Sequence, residues 1–229
     1  MVKDELIKKI KGKLIVSCQA LSDEPLYSSY IMSRMAYAAL EGGAVGIRAN
    51  TIQDISEIKK LVDVPIIGII KKVYPGDCED VYITPTILEI DQLVSCGVDI
   101  IAMDATRRPR PEGLSLEETF RIAKAKYPKQ LFMADCSDLD EGLHADRIGF
   151  DFVGTTLSGY TNYTSGRELP DFDLMRKLVK AGCNVIAEGG IWNPEQLKAA
   201  MDTGVIAAVV GTAITRPRDI TRHFIQAIT

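Results

Sequence analysis

Apolar residues along this chain fall into two kinds of run. Short, nearly unbroken runs recur eight times, at Leu14–Val16, Val45–Ile47, Ile66–Ile70, Ile100–Ala102, Leu131–Ala134, Phe152–Val153, Val185–Ala187 and Ala207–Val210. None alternates between apolar and polar positions, which predicts parallel strands covered by helices rather than strands with one wet face. Between these runs, apolar residues recur three and four apart, as in Tyr30, Met32, Met35, Ala36, Ala39 and Leu40, or Leu174, Leu178, Val179 and Ala181. That spacing predicts helices with one buried face. An earlier amphipathic run, Lys3 to Ile10, predicts a helix that closes the bottom of the sheet.

The punctuation repeats as well. Gly43, Gly97, Gly149, Gly182 and Gly204 each stand shortly before the next strand, where a left-handed residue lets a helix stop and the chain turn back. Asp54 with Glu57, Ser115 with Glu118, and Asn193-Pro194 with Glu195 supply caps, acids or proline to first turns. Strand–helix alternation alone fits an open doubly wound sheet equally well. Eight units, with no Gly-x-Gly-x-x-Gly turn after the first strand, favour a (β/α)8 TIM barrel. A length of 229 residues suits a single domain spanning 1–229.

Composition narrows the partners. With 46% hydrophobic and 25% charged residues the chain reads as an ordinary globular protein, and a net charge of −4 with 7% aromatic residues speaks against nucleic acid. No apolar run is long enough to span a bilayer, so no membrane is expected. The five cysteines, Cys18, Cys78, Cys96, Cys136 and Cys183, fit neither a disulfide framework nor a zinc knuckle, and a reducing cytoplasm suits them.

In a barrel of this kind the active site gathers at the carboxyl ends of the strands. The residues there are polar at almost every strand: Gln19, Arg48, Lys71 with Lys72, Asp104, Asp135, Thr155-Thr156, Glu188 and Gly211-Thr212. Any one of these taken singly is an ordinary loop residue, but their repetition at nearly every strand end is not. Lys71 ends the apolar run Val64 to Ile70, so its amine starts in a poorly hydrated mouth and is a candidate base or imine-forming nucleophile. Lys72 is the better candidate for a surface lysine. Glu188 closes a similar run. A carboxylate facing Lys71 would orient it and also raise its proton affinity, against the effect of burial, and the sequence leaves that contest open. Gly189-Gly190 and Gly211-Thr212, with Arg216 shortly after, match the phosphate site of barrels, where backbone N–H groups and a guanidinium receive an anion. His144 and His223 fall in predicted helices as surface or packing residues, and no spacing demands a metal. The segment Thr155 to Asp173 is long for a barrel and reads as a lid or binding loop.

Six segments, in order, resemble the N-acetylmannosamine-6-phosphate 2-epimerase family. They are Val16-Ser-Cys-Gln-Ala-Leu, Glu41-Gly-Gly-Ala-Val-Gly-Ile-Arg-Ala-Asn, Ile67-Gly-Ile-Ile-Lys, Gly154-Thr-Thr-Leu-Ser-Gly-Tyr-Thr, Ile186-Ala-Glu-Gly and Val209-Val-Gly-Thr-Ala-Ile-Thr-Arg-Pro. The resemblance covers about Leu14 to Gln226. It implies a (β/α)8 fold, inversion at C2 of N-acetylmannosamine 6-phosphate in sialic acid or amino sugar breakdown, and no cofactor. It implies Lys71 as the base at C2 with Glu188 as partner, and Gln19, Arg48, Asp135 and Arg216 as ligand contacts; strand-end Thr155 joins them. Cys136 and the stretch Val73 to Asp80 depart from the pattern. The alternatives are a class I aldolase or lyase with an imine on Lys71, and a non-catalytic phosphosugar-binding barrel. The partner is a small sugar phosphate, and the apolar segment Phe224 to Ile228 suits a homodimer.

Overall fold

The computed structural model describes residues 2–74 and 81–229. In chain order the first half comprises α1 (Lys3–Ile10), β1 (Lys13–Cys18), α2 (Ser29–Glu41), β2 (Gly46–Asn50), α3 (Ile52–Lys59), β3 (Ile66–Ile69), β4 (Lys71–Val73), β5 (Val81–Ile83), α4 (Ile87–Ser95) and β6 (Ile100–Asp104). The second half comprises α5 (Leu116–Lys126), β7 (Leu131–Asp135), α6 (Leu139–Ile148), β8 (Phe152–Gly154), α7 (Phe172–Lys180), β9 (Val185–Glu188), α8 (Pro194–Asp202), β10 (Ala207–Val210), α9 (Thr212–Thr215) and α10 (Pro217–Gln226). Eight parallel strands close into a barrel in the order β1-β10-β9-β8-β7-β6-β3-β2. This is the (β/α)8 TIM barrel. Among the described residues no helix is long and apolar enough to cross a membrane.

Strand parity sorts the apolar residues into two cores, which is why the strands read as unbroken apolar runs. Ile15, Ile67, Ile100, Leu131, Phe152, Ile186 and Ala207 point inward and fill the barrel. Their neighbours Val16, Ile66, Ile101, Phe132, Val153, Val185 and Ala208 point outward and pack under the helices. Leu6 and Ile10 of α1 are fully buried in the inner cluster, so α1 closes the bottom as its pattern predicts. The five pre-strand glycines take φ between 63° and 104°, the left-handed region that glycine enters without strain. Ser115 with Glu118 forms a capping box, and Asn193 accepts the Gln196 N–H at 2.8 Å. Thr51 caps α3, with Asp54 inside the first turn.

The sequence pattern misses one element. The strand in the third apolar run, Ile66–Ile70, ends at Ile69, and Lys71 opens an antiparallel ribbon, β4 with β5, that stands outside the barrel sheet. Thr84 locks the base of the ribbon: its N–H donates to the Ile70 carbonyl (2.8 Å) and its hydroxyl accepts the Ile70 N–H (3.1 Å). Two three-residue strands, one opening on Lys-Lys, carry too few apolar positions to register as β-structure. Of the departing stretch Val73 to Asp80, residues 75–80, with Cys78, lie outside the described residues; Cys18, Cys96, Cys136 and Cys183 are free thiols. Cys136 is fully buried in the outer core, where it acts as a small apolar residue away from the barrel mouth.

Leu6 plugs the barrel floor together with Ile10 and the partly buried Ile7 of α1. Leu6→Ala is expected to lower unfolding free energy by about 2–5 kcal/mol, the range for a large-to-small change in a rigid core. Denaturant midpoints at unchanged slope would measure it; a loss under about 1 kcal/mol would mean that α1 is not part of the cooperative core.

Candidate active site

The inward parity that fills the barrel continues upward into polar residues. Above Ile15 come Ser17 and Gln19; above Gly46 comes Arg48; Ile67 and Ile69 lead to Lys71; Ile100 and Ala102 lead to Asp104. Leu131 and Met133 lead to Asp135, Phe152 and Gly154 to Thr156, Ile186 to Glu188, and Val209 to Gly211. Ser17, Gln19, Arg48, Lys71, Thr156, Glu188 and Gly211 line one cavity of about 390 Å³, joined by Gly189, Gly190, Thr212 and Arg216.

Arg48 is the hub. Its guanidinium is fully buried and donates to both oxygens of Asp135, at 3.2 and 2.7 Å. The same group lies 3.2 Å from Glu188 Oε2. The Thr156 hydroxyl sits between the two carboxylates, 2.6 Å from Asp135 Oδ1 and 3.3 Å from Glu188 Oε2. Burial works against the charge on Arg48, but Asp135 and Glu188 outweigh it and hold the guanidinium protonated.

Lys71 and Glu188 are both driven towards neutrality. Burial pushes the Lys71 amine down to about 8, helped by the positive charges of Arg48 and Arg216 and resisted by Glu188 and Asp135. Burial pushes the Glu188 carboxyl up to about 7; Arg48 and Lys71 resist, while the negative charge of Asp135 adds to the rise. The contest left open in the sequence is thus decided by burial and two guanidiniums. Among the described residues no ion pair joins Lys71 to Glu188, so neither charge is neutralised by the other. Lys72 is half-exposed and meets Glu89 at 3.4 Å.

The wall opposite the ribbon is built of glycine and arginine. Gly189 and Gly190 have φ of 109° and 71°, and a Cβ on Gly190 would lie 2.4 Å from Leu169 Cβ. No other residue fits that turn. Arg216 reaches the cavity with its guanidinium held 3.1 Å from Glu24. Two atoms on the cavity's residues, Gln19 Oε1 and Arg48 Nε, are buried with no hydrogen-bond partner among the described residues, a deficit that a polar ligand would relieve. The Gln19 amide itself donates to the Ser17 hydroxyl at 2.6 Å.

Two expected substrate contacts sit elsewhere. Thr155 has the outward parity of β8: it is 1% exposed, and its hydroxyl accepts the Glu188 N–H and donates to the Glu188 carbonyl. Thr156 takes its place on the cavity wall. Asp135 is fully buried behind Arg48 and does not line the cavity. Counting in twos from Phe152 would have separated Thr156 from Thr155; nothing in the sequence told that Arg48 covers Asp135. The cavity also takes Leu157 and Tyr160 from the long loop after β8. That loop is packed wall, with Ser158, Thr161 and Thr164 buried. Asp104 is held by Thr106 and Arg108, and Arg108 also lines the cavity. His144 lies in α6; His223 in α10 stacks on Trp192, at 4.8 Å between centroids, and so touches a residue of the cavity wall.

Comparison with known proteins bears on this geometry. A family model described as "Putative N-acetylmannosamine-6-phosphate epimerase" matches residues 32–229. A relative from Borreliella afzelii, described as "Putative N-acetylmannosamine-6-phosphate 2-epimerase", is 54% identical over 227 residues, covering 97% of each chain. A relative of the same description from Caldanaerobacter subterraneus is 51% identical, covering 98% of this chain and 94% of its own. The solved N-acetylmannosamine-6-phosphate 2-epimerase of Clostridium perfringens superposes with a TM-score of 0.91 at 51% identity, over 97% of this chain and 96% of that one. Thiamine phosphate pyrophosphorylase of Pyrococcus furiosus, at 20% identity and a TM-score of 0.64, shares the fold alone. With a family model matched over most of its length and relatives above 50% identity along nearly all of it, this chain belongs to the N-acetylmannosamine-6-phosphate epimerase family.

Proposed function

We propose that this chain is an isomerase that converts N-acetylmannosamine 6-phosphate to N-acetylglucosamine 6-phosphate by inverting C2, a step of amino sugar and sialic acid breakdown. The observation that carries it is a lysine and a carboxyl group on one cavity, both shifted towards neutral pH by burial, facing glycine loops and an arginine suited to phosphate.

Inversion at C2 requires a C–H bond to break. That is feasible in the open-chain sugar, where the C2 electron pair delocalises onto the C1 oxygen as an enolate. Lys71 as the free amine takes the proton, and a proton returned to the opposite face of C2 completes inversion. Glu188 is the second group that can hold or give a proton near neutral pH, and Thr156 and Arg48 keep its carboxyl in place. Arg48 supplies fixed positive charge for the developing oxyanion. The Gln19 carbonyl is suited to accept the acetamido N–H, which would satisfy its orphaned oxygen. Gly189, Gly190, Gly211, Thr212 and Arg216 receive the phosphate, whose binding energy aligns C2 with the amine. Asp135 contributes through Arg48, and Thr155 through the Glu188 backbone. We place the protein in the cytoplasm, and as a homodimer through α10, a helix that buries no residue, where Phe224 and Ile225 are exposed and Ile228 follows, exposed, just past its end. Light scattering of the native chain against Phe224→Asp tests the dimer.

In deuterated water the wild-type product should carry deuterium at C2, and Lys71→Ala should abolish both epimerisation and exchange. Inversion with the original hydrogen fully retained would rule out a solvent-exchanging base. A class I aldolase would instead be trapped as a permanent adduct by borohydride with substrate present.

The pH dependence has a defined sign. Below about 7 both Lys71 and Glu188 are protonated and there is no base; above about 8 both have lost their protons and there is no acid. The competent form carries one proton on the pair, so kcat/KM should trace a bell between those values, whichever group holds it. A profile flat from pH 6 to 9 would contradict this.

Gly190→Ala should weaken phosphate binding, because a Cβ there meets Leu169 and φ is positive. A rise of about tenfold or more in the inhibition constant of inorganic phosphate is expected, equivalent to about 1.4 kcal/mol.

A further inference from the structure

Lys71 is not on a barrel strand. It is the first residue of the β4–β5 ribbon, and a base carried by a ribbon needs its backbone fixed from outside it. One side chain of the barrel does so: Asn50, the last residue of β2, accepts the Lys71 N–H on Oδ1 at 2.8 Å. Asn50 is 3% exposed, shares the inward parity of Arg48 two residues before it, and does not line the cavity. It is therefore in no position to touch substrate.

We propose that Asn50 is a positioning residue for the epimerisation, holding the peptide N–H of Lys71 so that the amine meets C2. This rests on the reading of Lys71 as the base. A buried N–H left without its acceptor relaxes towards another partner, and a displacement of about 1 Å at a reacting group is enough to lower a rate about a hundredfold. The other anchors of the ribbon act further away. Thr84 holds Ile70, and Glu89 accepts from Tyr74 and Lys72; Asn50 alone among the described residues bonds the Lys71 amide.

The Lys71 amine is faced by Arg48 of β2, Arg216 after α9, Glu188 of β9 and Asp135 of β7. Position 50 offers a way to add one charge to that set without touching any of them. Asn50→Asp keeps a carboxylate oxygen where the amide oxygen was and brings a negative charge near the lysine, which favours protonated forms.

Three chains of native length are compared in the same assay. Asn50→Ala is expected to lower kcat about ten- to a hundredfold while the inhibition constant of inorganic phosphate stays within about twofold of wild type. N50D is expected to recover most of kcat at its own optimum, with the optimum moved upward by about half a pH unit or more. An unchanged kcat in N50A, an equal loss of phosphate inhibition, or an N50D optimum that does not move would each overturn the proposal. Should N50D fail to fold by circular dichroism, Asn50→Gln carries the same acceptor one methylene further out, and no recovery over N50A would count against positioning. Lys71→Ala separates the two failures: C2 exchange surviving in K71A removes the base assignment and this inference with it, whereas exchange lost in K71A but normal in N50A removes the inference alone.

Discussion

A guanidinium buried at the centre of a barrel is the constraint on which the site depends. Taking Arg48 out of water costs several kcal/mol, and only well-placed anions offset that. Asp135 does so with both oxygens, in the planar fork that suits arginine and not lysine. The two residues come from β2 and β7, with β6 and β3 between them in the barrel, so the pair also ties together strands that are not hydrogen-bonded neighbours. Removing either partner would strand a charge in the interior.

The geometry of this pair sets the state of everything around it. Because Asp135 takes both strong contacts, Glu188 receives only one, at 3.2 Å, and is left with burial that is not fully compensated. Its carboxyl therefore rises. Lys71 falls first through burial, and the same guanidinium, as a repelling neighbour, adds to the fall. Burial thus moves the acid up and the base down towards each other, with Arg48 adding to the fall of Lys71 and resisting the rise of Glu188; a direct Lys71–Glu188 ion pair would reverse this by lowering one value and raising the other.

Most of the barrel was legible in the sequence because burial on both faces writes itself as unbroken apolar runs, and because Gly43, Gly97, Gly149, Gly182 and Gly204 stand where only a left-handed residue ends the helix. Lys71, Glu188 and the glycine loops were legible for the same reason, as polar residues closing apolar runs. The ribbon was not, since Lys71 to Val73 and Val81 to Ile83 are held by backbone pairing and by Asn50 and Thr84 rather than by an apolar pattern. Thr155 and Thr156 differ only in parity, which a three-residue strand states weakly. The place of Asp135 behind Arg48 depends on a side-chain pair 87 positions apart, which no local pattern encodes.

The two groups proposed to move the proton are mounted differently. Glu188 ends β9 and is held on its backbone by Thr155 and on its carboxyl by Thr156 and Arg48, so it cannot move without the barrel. Lys71 begins a ribbon that rises past the end of β3, which lifts its backbone above the strand ends. In the proposed reaction the sugar is held by its phosphate at the loops after β9 and β10, and the Lys71 amine reaches the same cavity from the ribbon. The ribbon gives the amine its height, and the cost of that height is a backbone no longer fixed by its own sheet, which is why the barrel must reach out to hold it.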